Sequence, residues 1–271
     1  MKILIDGRSL QTYSAFRGIG RYTRQLIEIF KNDRAFHFLF FNEKNYWPEL
    51  ERKLFLNSPR RLITFTDHVL LKNLLVEKAI RIYHSPVFAL PKKPKNTFYL
   101  LTVHDLTPLL FPNFSSARHR YIFKKIIKSA RSADVVMTVS RHTANDLLNY
   151  LPQLEGRIRV IHNALDKHIN PAFSQKPDIE LPSEYLFYTG GTDKIKNLKT
   201  VVQSIRFHKL SLVIAGKIED SGKRELLTFL NECDYHRVYF CGYVSDNELS
   251  YLYQNAKVFA FPSLYEGFGY P

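Results

Sequence analysis

Cysteine is scarce: Cys233 and Cys241 are the only two in 271 residues. Two thiols without a secretory leader exclude a disulfide-stapled extracellular domain. The start, MKILIDGRSL, reaches an aspartate at Asp6, too early for the apolar core of a signal peptide. No apolar stretch approaches the roughly 20 residues that span a bilayer. Short internal repeats and low-complexity segments are lacking too, as is any cluster of metal-ligand residues. These absences predict a cytoplasmic protein with free thiols, soluble or peripheral on the inner face of the cytoplasmic membrane. Apolar residues are not lacking: a 45% share predicts a packed core, and the length allows two modest domains.

Acidic residues run short in one part only. Residues 1–170 hold 28 Lys+Arg against 13 Asp+Glu, a balance of +15, whereas 171–271 hold 11 against 12. A basic block of this kind marks a face that meets an anionic partner, such as nucleic acid, acidic lipid or a phosphorylated substrate.

Short apolar runs alternate with amphipathic stretches along the chain. KILID (2–6), HFLFFN (37–42), RLITFT (61–66), IYHS (82–85), FYLLTVHD (98–105), DVVMTVS (134–140) and IRVIHN (158–163) read as strands. Segments with i, i+3, i+4 spacing, such as 20–31 and 120–131, read as helices between them. Near-continuous apolar strands predict a parallel sheet buried on both faces, hence a doubly wound α/β domain over 1–168. Proline and polar residues in 169–184 read as a linker. Four more strands, at 185–191, 210–216, 237–243 and 257–263, alternate with helices near 197–208, 220–232 and 246–255. The expected fold class is α/β, with two Rossmann-like doubly wound domains. The second, 185–271, is expected to be incomplete, because no helix follows its last strand.

Two segments could carry chemistry on residue types alone. In FPSLYEGFGYP a strand ends before Glu266, followed by Gly267, Phe268 and Gly269. A glutamate there can accept hydrogen bonds from sugar hydroxyls, and the glycines let backbone N–H groups approach a phosphate. The alternative is a glycine turn with a solvated glutamate. In LFYTGGTDKIKNLKTVV a strand ends at Gly190 and Gly191, and Lys194 and Lys196 precede a helix, an arrangement that suits a diphosphate. The alternative is a loop with solvated lysines. His104 lies at a strand's carboxyl end before Asp105 and reads either as a cleft residue or as a core histidine. His84 reads as structural, and Asn163 as a residue shaping a turn.

The ordered motifs MKILIDGR, GIGRYTR, YHSP, TVHDLTPL, TVSRHT, RIRVIHN, YTGGTDKIKN and PSLYEGFG cover nearly the whole chain. Taken together they resemble family-4 retaining glycosyltransferases. The resemblance implies the GT-B fold, with the N-terminal domain taking the acceptor and the C-terminal domain the nucleotide sugar. It implies no divalent metal and no resident cofactor, a nucleotide-diphosphate sugar serving as donor substrate. By the same resemblance Glu266 contacts the donor sugar, and Gly267, Phe268 and Gly269 offer backbone N–H groups. Lys196 neutralises the departing diphosphate, and Gly190, Gly191 and Lys194 belong to the same loop. His104 lies near the reacting sugar, with Asp105 orienting it or holding the loop. Gly18, Gly20 and Arg21 match the loop that folds over the diphosphate, and Ser140 and Arg141 lie where a strand opens into the cleft.

Three features depart from the family pattern. Ile195 stands where an arginine usually accompanies the lysine, so only Lys194 could compensate. Asn163-Ala164 replaces an Asn-Gly turn. The second glutamate of the family's E-x7-E element would fall beyond Pro271, so the resemblance predicts a C-terminally truncated chain. A catalytically inactive remnant, or an acceptor- or membrane-binding module, is therefore the alternative to an enzyme. A nucleic-acid-binding protein would need a recognition helix or aromatic–basic repeats, and only the charge is present, so no nucleic-acid partner is expected.

The expected partners are a nucleotide sugar, a glycan or lipid-linked acceptor, and an anionic membrane surface. For the last, the spacing over 115–131 predicts Ile122, Ile126 and Ala130 on one helical face. Arg120, Lys124, Lys128 and Arg131 fall beside them, and Lys92, Lys93 and Lys95 lie in a nearby loop. The alternative is an ordinary Rossmann helix with solvated charges.

Overall fold

The computed structural model of the protein describes residues 1–16, 18–41, 47–56, 65–165 and 170–269. They form two units. Met1–Ala164 make up the first, together with the described residues from Gly267 onward, and Leu165–Glu266 make up the second.

In the first unit β1 (Ile3–Asp6), β2 (Phe36–Phe41), β3 (Lys53–Leu56), β4 (Ile82–Ser85), β5 (Phe98–Val103), β6 (Val135–Thr138) and β7 (Ile158–Val160) form one sheet in the order β3-β2-β1-β4-β5-β6-β7. Every neighbouring pair is parallel. The order reverses direction between β1 and β4, the switch point where such sheets open a crevice at their carboxyl ends. Period-2 alternation sorts the strand residues onto two faces. Leu4, Leu39, Tyr83, Tyr99, Leu101 and Val136 pack against α2 (Phe65–Glu77), α4 (Ala117–Ser129) and α5 (Arg141–Tyr150), α3 being a single turn at Thr107–Leu110. Ile5, Phe38 and Phe40 face Ile27 of α1 (Gly18–Phe30). Burying each such side chain contributes about 1.5–3 kcal/mol, and cover on both faces is what the continuous apolar runs predicted.

The second unit has a four-stranded parallel sheet in the order β10-β9-β8-β11, from β8 (Tyr185–Thr189), β9 (Ser211–Ala215), β10 (Val238–Gly242) and β11 (Val258–Phe259). Leu186, Tyr188, Leu212 and Ile214 meet α6 (Leu198–Ser204) and α7 (Asp220–Leu227). Tyr185, Phe187 and Val213 meet Leu249 and Leu252 of α8 (Asp246–Asn255) on the other face. A capping box starts α8: Ser245 Oγ accepts from Glu248 N, and Ser245 N donates to Glu248 Oε2 at 2.7 Å.

Three expectations need correction. The strand expected over 61–66 lies partly outside the described residues, and its last two positions begin α2 instead. The strand actually paired with β2 is β3, whose three half-buried residues and buried Leu56 are too few to show a period. On α4 the inward residues are Phe123 and Ile127, with Ala130 buried just past its end, while Ile122 is 45% exposed. Ile122 and Ile126 do share a face, but the sheet is met by the neighbouring row one residue further round the helix.

Candidate functional site

The carboxyl edge of the first sheet carries two polar networks. At the end of β1, Asp6 accepts from Arg8 Nε at 2.9 Å, from an Arg8 terminal nitrogen at 2.7 Å and from Tyr83 Oη at 2.6 Å. Arg8 is buried, with its guanidinium over the rings of Phe88 and Phe41 at 4.9 and 5.4 Å. Burial alone would disfavour the Arg8 charge, but Asp6 and Tyr83 hold its pKa above the ordinary value. This network ties β1 to β4 at the switch point.

The second network gathers β4, β5 and α1. His84 Nε2 lies 2.9 Å from Thr102 Oγ1, and Tyr22 Oη lies 3.1 Å from the same hydroxyl. Tyr22 meets His104 edge-on, with ring centroids 5.0 Å apart. His104 Nε2 is 3.0 Å from the carbonyl oxygen of Pro86. Burial lowers the His84 pKa to about 4, helped by the neighbouring His104 and opposed by Asp6. Burial also lowers that of His104, opposed by Asp105 and the Pro86 carbonyl. Both imidazoles are therefore neutral near pH 7. A recess of about 40 Å³ opens beside Thr102, His104 and Asp105, with Ile19 and Val87 in its wall, room for a water or one hydroxyl group.

Asp105 Oδ1 accepts from Thr107 N at 2.8 Å, so its carboxylate holds the loop. Ser140 caps α5 and, with Thr143, donates to the carbonyl oxygen of Gly267. Thr143 Oγ1 also donates to the His104 carbonyl at 3.1 Å. A Cβ on Gly267 would lie 1.9 Å from that carbonyl oxygen, so close packing demands glycine there. Phe268 lies 6.1 Å from the ring of His162. Gly18 opens α1, Gly20 is wedged under the carbonyls of Ser14 and Ala15, and Arg21 is half-buried in the first turn. Arg141 is exposed at the start of α5, and Asn163 Oδ1 is buried without a partner among the described residues.

In the second unit, adjacent loops follow the paired strands β8 and β11. The first turns at Gly190 and Gly191; the Gly190 carbonyl oxygen lies where a Cβ on Gly216 would be, at 2.2 Å. Gly216 also has a φ of +140°, so two constraints select glycine there. Leu264 N donates to the Ile195 carbonyl at 2.8 Å, and Asn197 Nδ2 to that of Pro262 at 3.2 Å, stitching the loops together. This brings Lys196 Nζ to 2.7 Å from Glu266 Oε1, with the two side chains 27% and 25% exposed. Lys194 is exposed on the same loop. The sequence placed Lys196 and Glu266 against different parts of a ligand; the structure also pairs them with each other.

The basic face is less uniform than its spacing predicted. Arg120 donates to the carbonyls of Pro112 and Ser115 and braces the turn before α4. Lys93 pairs with Asp134 at 2.5 Å. Lys124, Lys128, Lys92 and Lys95 are exposed. Among the described residues no helix is long and apolar enough to cross a membrane.

Sequence reasoning did not single out Tyr22, Thr102 or Thr143. Tyr22 stood within GIGRYTR, but its partner Thr102 is 80 residues away, and only the strand order brings them together.

Two parallel, doubly wound sheets with glycine turns and charged loops at their carboxyl ends define a Rossmann-like pair of the GT-B class. Residues 16–168 match the family described as Glycosyltransferase Family 4, and residues 170–271 match Glycosyl transferases group 1. The chain belongs to glycosyltransferase family 4. O-antigen chain mannosyltransferase B of Escherichia coli is 28% identical over 206 residues, 70% of this chain and 53% of that protein. O-antigen chain mannosyltransferase RfbU of Salmonella typhimurium is 28% identical over 187 residues, 63% and 47% of the two chains. The chain thus spans about half the length of these curated relatives. Among solved structures, lipopolysaccharide outer core galactosyltransferase WaaB shares the fold at a TM-score of 0.66 and 19% identity, covering 99% of this chain and 76% of that one.

Proposed function

We propose that the chain transfers a sugar, with retained anomeric configuration, from a nucleotide-diphosphate sugar to a hydroxyl acceptor in the synthesis of a cell-surface polysaccharide or lipid-linked glycan. The names of its relatives favour a hexose, mannose foremost. One observation supports the reading above the rest: Lys196 and Glu266 meet at 2.7 Å on adjacent loops at the carboxyl ends of β8 and β11. A cation for the diphosphate and a carboxylate for the sugar hydroxyls are thereby held within one ligand's length.

In this reading the leaving diphosphate takes the acceptor proton on the same face, so no carboxylate nucleophile is required, unlike in paired-carboxylate glycosidases. Catalysis rests on positioning and on charge stabilisation by Lys196, with Lys194 as the second cation in the absence of the family's arginine. Gly190, Gly191, Gly267, Phe268 and Gly269, with Gly18, Gly20 and Arg21, are assigned to the donor, and His104 to the reacting sugar. No resident cofactor or metal is required, and no nucleic acid takes part. The acceptor side works at an anionic membrane surface, a role supported by the exposed Tyr121, Ile122, Lys124 and Lys128 of α4.

Titration of the chain with UDP and GDP, followed by transfer assays with their hexoses, tests this. Micromolar binding and a product with the donor's anomeric configuration are expected. Failure of every nucleotide diphosphate to bind would leave a module that shares the fold without the reaction.

A further inference from the structure

The His104 ring touches two neighbours, Pro86 and Tyr22, that together decide which of its nitrogens is offered outward. The Pro86 carbonyl oxygen can only accept, so the nitrogen 3.0 Å from it, Nε2, carries the proton. In a neutral ring the lone pair then sits on Nδ1, which meets no partner among the described residues. Nδ1 is also not among the sealed, unpartnered atoms of the interior. It opens to the surface of the unit.

The ring would be free to turn if Pro86 alone held it. Tyr22 prevents this: its ring stands at 85° to the imidazole, 5.0 Å away. Tyr22 is itself anchored at its far end, where its hydroxyl shares Thr102 Oγ1 with His84 Nε2. That junction is buried, and a hydroxyl with one proton and two lone pairs can serve both partners. Burial also raises the Tyr22 pKa, with the Thr102 contact opposing, so the phenol keeps its proton. We propose that Tyr22 is a positioning residue for His104, fixing the imidazole as the Nε2–H tautomer so that Nδ1 accepts a hydrogen bond from a sugar hydroxyl. The ligand class rests on the function proposed above; the tautomer and its dependence on Tyr22 do not.

Nitrogen-15 labelling of the histidines of the whole chain reads the tautomer directly, with His104→Asn assigning the signal. The titratable groups facing His104 are His84 from β4, Asp105 beside it and Tyr22 from α1, with Asp6 behind His84. The expected spectrum shows protonated Nε2 and bare Nδ1 at neutral pH, with the ring taking up its second proton at a lower pH than an ordinary histidine. Tyr22→Phe keeps the ring and should keep that spectrum, which also guards against misfolding as the cause of any change. Tyr22→Leu should mix the tautomers and move the titration toward about 6.5. A wild-type Nδ1–H tautomer, or a Tyr22→Leu spectrum identical to wild type, would overturn the proposal.

In the transfer assay Tyr22→Leu should lower kcat on the order of 10²-fold, the scale of a misplaced reacting group, with little change in KM. Tyr22→Phe should stay close to wild type. The expected spectra without any transfer would uphold the positioning role and sink the proposed function. Transfer indifferent to Tyr22→Leu would sink the positioning role alone.

Discussion

The two units hold their loop residues by opposite means. In the first, the carboxyl edge of the sheet is built from buried, hydrogen-bonded polar groups: Asp6 with Arg8 and Tyr83, and Thr102 with His84 and Tyr22. In the second, backbone contacts and glycine packing set the loops, and the charged pair at their tips stays partly open to solvent. A desolvated network is stiff and specific, and breaking one member strands the others. A half-exposed ion pair is worth little in itself and is easily exchanged for a ligand's charge. The first arrangement suits a surface that must keep one shape; the second leaves a charged pair that can exchange partners.

Removing a partner from the buried network should do the greatest damage. Asp6→Ala leaves Arg8 charged and unpaired in the interior, at a cost of about 3–5 kcal/mol, read as a fall in the urea midpoint. The matching lesion in the second unit is Gly216→Ala, whose Cβ meets the Gly190 carbonyl and whose φ is positive. Its cost should be on the order of 3 kcal/mol. If Asp6→Ala is the milder of the two, the first unit is not held by its polar network.

The pH response should also divide the units. His84 is neutral when folded, with its pKa depressed to about 4. Its stabilising contribution is complete above about pH 6.5 and fades as pH falls toward 4, because the unfolded chain takes up the proton first; the whole effect is about 3 kcal/mol. His84→Gln should flatten that part of the stability–pH curve measured by thermal melts. A curve of unchanged steepness would mean that His84 titrates normally.

The Lys196–Glu266 pair makes a smaller and less intuitive prediction. If Lys196 takes the diphosphate as proposed, Glu266 competes with that ligand for it, so Glu266→Gln should tighten binding of free UDP or GDP. The gain is bounded by the worth of a partly exposed pair, at most about 1 kcal/mol or roughly fivefold. Lys196→Ala should instead weaken binding, by about 1.5–3 kcal/mol for a charge-assisted contact. Calorimetric titration of both variants separates the two roles, and a weaker Glu266→Gln complex would break the assignment.

What was legible in the sequence follows the same division. Gly190, Gly191, Lys196 and Glu266 lie in short, contiguous motifs because glycine turns and charged loop tips are local devices. The alternation of strands and helices was equally plain, since burial on both faces makes the strands apolar throughout. Tyr22 with Thr102, and Asp6 with Tyr83, could not be read in that way. Each pair joins residues about 80 positions apart, and it forms only once β1, β4 and β5 lie side by side. β3 was hidden for another reason: an edge strand of four residues, three of them half-buried, has no period to detect.

Charge is the last contrast, with +15 in residues 1–170 against −1 in the remainder. If the first unit rests on anionic lipid, the residues that matter are the ones the structure leaves free to reach it. Arg120 is occupied with the carbonyls of Pro112 and Ser115, and Lys93 with Asp134, so replacing either would disturb the fold as well as the surface. Lys124, Lys125 and Lys128 are exposed on α4, where Tyr121, 61% exposed, and Ile122 add apolar surface of the kind that enters a headgroup layer. Each cation near such a surface contributes about 1 kcal/mol, screened within roughly 10 Å at 0.1 M salt. The whole chain should therefore co-sediment with vesicles containing phosphatidylglycerol, stay in solution with neutral ones, and be released by high salt. Lys124→Glu, Lys125→Glu and Lys128→Glu together should abolish the binding with the melting temperature unchanged. Tyr121→Ser should weaken it without altering its salt dependence. Equal sedimentation with charged and neutral vesicles at low salt would reduce the basic excess of the first unit to a solubility feature.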